Sequence, residues 1–194
     1  MKFNNPYVKL IIIALFFTIL SFIIEYFLPI KKLDFKKCNL LGLFFFRFLH
    51  YNVFLYFTFF LLIFNYNSID GFIYLIIATI VSLQWKILSC CIIAYYELKM
   101  YNIDHHNFLT TFHPCLFIYF RKYQEIFLII MGLIMSFIFY FILFKNKIIP
   151  LIYKVIFGII FTYLFLDATI QSRFYKTNLE YPKSEKHIMN VFYF

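Results

Sequence analysis

Charged side chains are scarce in this sequence, at 14% of 194 residues, and carboxylates are scarcer still, with 9 Asp and Glu against 18 Lys and Arg. A water-soluble domain carries about a quarter charged residues and roughly half apolar ones. Here 64% are hydrophobic, more apolar surface than a soluble fold of this length can hide. With only 4 glycines, there is no phosphate-cradling loop and no Gly/Ser linker. The 4 cysteines include no C-x-x-C, which removes thioredoxin-like redox motifs and paired zinc knuckles. Neither G-x-S-x-G nor H-E-x-x-H occurs, and the broken-helix halves of secondary transporters are missing. No internal repeat or low-complexity tail divides the chain, so residues 1–194 read as one membrane-embedded domain.

What the sequence does have is long apolar runs. About 20 residues at 1.5 Å each cross a hydrocarbon core of about 30 Å, and five stretches meet that length: 10–30, 40–64, 71–96, 126–144 and 148–166. They are continuous in Ile, Leu and Phe, whereas barrel strands alternate with a period of two over about ten residues. The sequence therefore predicts an all-α polytopic transmembrane helical bundle of about five spans, followed by a tail over 167–194. The first span lacks the small residues of a cleavage site at Ser21-Phe22-Ile23-Ile24-Glu25 and is expected to be retained.

Basic residues orient the bundle. In a five-span layout Lys2, Lys9, Lys145, Lys147 and Lys154 fall on one side and the other 13 of the 18 Lys and Arg on the opposite side. The richer side faces inward, which puts the N-terminus outside and the C-terminus inside. The net charge of +9 then lies mostly beside anionic headgroups. The expected partners are the lipid bilayer and other membrane protein subunits; no basic groove or aromatic platform suggests a nucleic acid.

Ionisable groups inside spans cost free energy and usually meet a partner. Glu25 lies about six residues from the inner end of the first span, roughly 9 Å deep, and Arg47 enters the second span to a similar depth. His50 follows three residues later on the same helix face. A Glu25 and Arg47 pair with His50 beside it is one reading, and independent snorkelling of the two long side chains is the other. If they pair, Glu25→Ala alone should destabilise more than the double change with Arg47→Ala. Ser82, Lys86, Cys90 and Glu97 recur on one face of a third span taken as continuous through residue 96; if that span ends near Trp85 instead, Lys86 is interfacial. The run from Trp85 through Cys91 to Glu97 resembles a Trp followed by Cys-x-Leu-Thr-x-x-Glu in small bacterial membrane proteins without assigned activity, with Ala94 at the Thr position. That resemblance spans about a dozen residues and implies no cofactor or reaction.

Two further features complete the sequence picture. Asp104, His105, His106, His113 and Cys115 are ligand-capable, with the three histidines the candidates for a metal, but they sit in a loop that reads as solvated or interfacial, and a metal site needs three or four convergent ligands. No metal and no cofactor is expected there, and the stretch 108–120 either lies on the inner surface or re-enters the membrane. Gly132 with Ser136 and Gly158 with Thr162 form small-xxx-small pairs that would let the last two spans pack closely as an antiparallel hairpin. The functional expectation is a non-catalytic structural, assembly or accessory subunit. The alternatives are a small transporter or channel component using Glu25, Arg47, His50 and Lys86, and an enzyme built on the histidine-containing loop.

Overall fold

Pro6 opens the first helix at a position whose backbone N–H would have no intrahelical partner anyway, and the Asn5 side chain caps it by accepting a bond from Tyr7 N at 2.9 Å. In this computed structural model, residues 5–28, 38–88, 91–101, 114–120 and 123–178 are described. Every regular element among them is a helix: α1 (Pro6–Phe27), α2 (Leu40–Ile63), α3 (Ile69–Leu88), α4 (Ile92–Lys99), α5 (Pro114–Phe120), α6 (Gln124–Lys145) and α7 (Leu151–Asn178). Four helices are long and apolar enough to cross a membrane, Pro6–Phe27, Leu40–Ile63, Ile69–Ile87 and Ile126–Lys145, and α7 contributes a shorter apolar stretch, Leu151–Leu166.

The long helices run alternately up and down. Antiparallel α1 and α2 bring Tyr7 onto Phe64 at one end, with ring centroids 4.8 Å apart, and Glu25 onto Arg47 at the other. Helix α3 returns along α2 through Tyr74, which is fully buried among Tyr56, Phe57 and Phe60 and donates its hydroxyl to Met135 O of α6 at 3.2 Å. Helix α7 runs parallel to α3, with Phe72 against Phe157 near their starts and Lys86 against Tyr163 further on. Surface and interior are inverted relative to a soluble protein. Leu41 and Leu62 are 83% and 82% exposed, while Arg47 and Glu97 are 0% exposed. Hydrocarbon is the medium in which such an exterior costs nothing and such an interior must be internally satisfied.

Asn146 fastens the end at which α6 turns into α7. Its Nδ2 donates to Tyr66 O at 2.6 Å and Ser68 O at 3.1 Å, and its Oδ1 accepts from Ile148 N and Ile149 N at 2.8 and 3.2 Å. Gly71 lies beneath this knot: a Cβ there would collide with the Tyr66 carbonyl oxygen and with Asn146 Nδ2.

Two expectations are corrected. The third apolar run is not one helix over 71–96, because α3 ends at Leu88 and Cys91 is extended, with φ −77° and ψ 118°. Continued straight, the helix would carry Glu97 about 13 Å beyond Leu88; the break instead lets α4 fold back against α2. The second correction concerns the glycines. The α6 and α7 hairpin exists, through stacked Phe139 and Phe161 rings 3.8 Å apart and a 2.7 Å bond between the Tyr140 and Thr162 hydroxyls, but Gly132 and Gly158 do not face each other. Nothing packs within 4 Å of where a Cβ would sit on Gly132, and Gly158 meets Leu143 Cδ2 at 3.2 Å. Pro150 delays the start of α7 to Leu151. With Phe139 and Phe161 level, the two glycines are about 15 Å apart along the axis. Ser136 and Thr162 donate to Gly132 O and Gly158 O, one turn back in their own helices.

Candidate functional site

Seven residues into α2, Arg47 is fully buried, and its surroundings come from three other segments. Nη1 donates to Glu25 Oε2 of α1 at 2.9 Å and to Ser21 Oγ at 3.4 Å, and Nε donates to Glu97 Oε1 of α4 at 3.0 Å. Nη2 donates to the Tyr101 hydroxyl, which in turn donates to Glu25 Oε1 at 2.6 Å. The Phe22 ring lies 4.8 Å from the guanidinium carbon, a stacking that suits a weakly hydrated planar cation. All three guanidinium nitrogens and both Glu25 oxygens therefore have partners. Burial works against the Glu97 carboxylate, but the hydrogen bond from His50 and the charge of Arg47 outweigh it and hold the group below the ordinary carboxylate range.

His50 extends the cluster on the next turn of α2. Its Nδ1 lies 3.2 Å from Glu97 Oε2 and 3.1 Å from Cys115 Sγ of α5, and its Nε2 lies 3.6 Å from Cys91 Sγ. The ring stacks on Phe54 at 4.7 Å. Cys115 is itself held, because its carbonyl accepts the Tyr51 hydroxyl at 2.9 Å. Pro114 begins α5 in the same way that Pro6 begins α1. Cys115, Leu116 and Ile118 are all buried, so this part of 108–120 packs inside the bundle. Chemically, Glu97 and Cys115 share one ring nitrogen. That excludes a relay from carboxylate through imidazole to the Cys115 thiol, since a relay uses opposite nitrogens.

Of the residues singled out in the sequence, the structure brings Glu25, Arg47 and His50 together as an ion pair with an adjoining imidazole, in place of independent snorkelling. Lys86 lies elsewhere, with Nζ 2.6 Å from the Tyr163 hydroxyl and 3.9 Å from that ring's centroid. Ser82 bonds back to Ala78 O at 2.9 Å, so the supposed Ser82, Lys86 and Glu97 face is divided by the break before α4. Cys90, His105, His106 and His113 lie outside the described residues. Sequence reasoning did not bring Glu97, Tyr101, Cys91 or Cys115 to this cluster: Glu97 was placed on the Lys86 face and Cys115 among the ligand-capable residues of the loop. The available signal was Glu97, a carboxylate in an apolar and aromatic stretch that needs a cation. Comparisons with protein-family models, curated proteins and solved structures return no match for this chain.

Proposed function

We propose that this chain is a multi-pass integral membrane protein acting as a non-catalytic structural or accessory subunit, whose shape is fixed by the ion triad of Glu25, Arg47 and Glu97. The observation behind this reading is closure. The charges in the bundle interior are engaged with one another, whereas a conducting path needs polar groups that can exchange partners with a passing solute. The outward-facing Leu, Ile and Phe side chains suit lipid and the spans of neighbouring subunits equally well. Extracted in a mild detergent and run on a blue-native gel, the protein is expected in an assembly well above its own 23.8 kDa. A monomer recovered from its native membrane would overturn the subunit role.

Five spans with the N-terminus outside and the C-terminus inside form part of the proposal. The alternating direction of α1, α2, α3, α6 and α7 supports an odd number of crossings, and the basic residues favour this orientation. Epitope tags on the two termini should become accessible from opposite faces of sealed vesicles. Accessibility from one face would sink the five-span topology.

A further inference from the structure

We infer that His50 Nδ1, Glu97 Oε2 and Cys115 Sγ form a binding site for a divalent transition-metal ion, with zinc the best match. The three ligand atoms come from α2, α4 and α5 and lie within 4.8 Å of one another, all on buried residues. Bonds of about 2.0–2.1 Å to N and O and 2.3 Å to S, set at tetrahedral angles, separate N from O by about 3.3 Å and N from S by about 3.5 Å. The observed separations are 3.2 and 3.1 Å, and Glu97 and Cys115 lie within 4.8 Å of each other, so an ion enters once Cys115 shifts to lengthen its contact with Nδ1 and stands about 3.5 Å from the carboxylate oxygen. One imidazole, one carboxylate and one thiolate form a mixed donor set that suits zinc better than calcium or magnesium, which take oxygen, or copper(I), which takes sulfur.

The surrounding contacts are those a metal-binding set needs. Arg47 Nε holds Glu97 Oε1 at 3.0 Å and so turns Oε2 towards the ring. Cys91 Sγ lies 3.6 Å from Nε2, where it can accept the Nε2 proton and leave the Nδ1 lone pair directed at the site. Charge suits the same ligand: two carboxylates share one guanidinium, so a further cation is favoured, and a divalent ion that takes up one thiolate supplies it. Binding breaks the Cys115 S–H bond and the Nδ1–H bond that His50 turns towards Glu97; the ring keeps its proton on Nε2, the displaced protons go to solvent, and the S–metal and N–metal bonds form without electron transfer. Three protein ligands leave a fourth position for water or another small donor. The site is independent of the subunit role, which stands or falls on the native gel.

Purified full-length protein in detergent, stripped with a chelator and titrated with cobalt(II) as a spectroscopic stand-in for zinc, tests the site. The expected result is one cobalt per chain, with a sulfur-to-cobalt charge-transfer band that Cys115→Ser and His50→Ala abolish. Cys91→Ser and the triple change His105→Ala, His106→Ala, His113→Ala should retain the band. Absence of stoichiometric binding in the unaltered protein, or a band that survives Cys115→Ser or is lost with the loop histidines, would overturn the assignment. Because a substituted chain can misfold, a second measurement uses the unaltered protein. Zinc should slow maleimide labelling of Cys115 at least tenfold while leaving Cys38 labelling unchanged, and equal rates with and without zinc would also overturn it.

Discussion

Replacing Arg47 by Met is expected to be the most damaging single substitution in the chain, lowering stability by about 3–5 kcal/mol, because a buried ionic group loses the partner that made its burial tolerable. Two carboxylates are stranded at once, Glu25 at 2.9 Å and Glu97 at 3.0 Å from the guanidinium. Lys should not rescue the position, since one ammonium cannot span Glu25, Glu97, Ser21 and the Tyr101 hydroxyl as a planar fork does. The triple change Glu25→Leu, Arg47→Met, Glu97→Leu should recover most of the loss, because an apolar replacement strands no charge. The triad also reverses the expectation drawn from a simple pair. After Glu25→Ala, Arg47 keeps Glu97, so adding Arg47→Ala should make matters worse. Reversible unfolding in mixed micelles reads all of these. A double variant more stable than Glu25→Ala would mean that Glu97 does not share the guanidinium.

At the opposite end, Asn146→Ala should cost about 2–4 kcal/mol. Four hydrogen bonds to backbone groups disappear with a side chain that is 0% exposed, and each is worth roughly 1 kcal/mol net, more where a group is left unsatisfied. Asn146→Asp should be no better despite its matching shape, because it sets a carboxylate oxygen against the Tyr66 and Ser68 carbonyls where an N–H donor had been. Gly71→Ala should fall in the same range, since the colliding Tyr66 oxygen is backbone and cannot swing aside. Thermal unfolding of the three variants within about 0.5 kcal/mol of the unaltered chain, the usual scatter of a neutral surface change, would mean that water replaces the Asn146 contacts.

The legible part of this fold is the part that hydropathy and depth control. Run length located the five long helices, though it carried the third past the end of α3 at Leu88 and stopped the fifth short of the end of α7 at Asn178, and matching the depths of Glu25 and Arg47 across antiparallel neighbours put His50 beside them. The break between α3 and α4 was hidden because Ile87, Leu88, Ile92 and Ile93 keep the run apolar whether or not the backbone turns. With that turn unseen, Glu97 was given to the Lys86 face instead of Arg47. Cys115 was legible as a possible ligand, but its place beside His50 was not, because that contact joins residues 65 positions apart and depends on tertiary geometry that no local period encodes. The glycine pairing failed because levels were counted from a short link, while stacked aromatic rings, Phe139 on Phe161, set the register.

Arg47 also has a place in time. Glu25 precedes it by 22 residues and Glu97 follows it by 50, so a ribosome adding about 5–20 residues per second delivers the second carboxylate roughly 3–10 s after the arginine. Through that interval the first two helices can pair as a hairpin whose charges already cancel. Glu25 is thereby the chaperoning counter-ion of biogenesis and Glu97 the lock of the finished protein. Loss of Glu25 leaves Arg47 without a counter-ion through that interval and with one carboxylate fewer in the finished fold, whereas loss of Glu97 is felt only after that residue has been made.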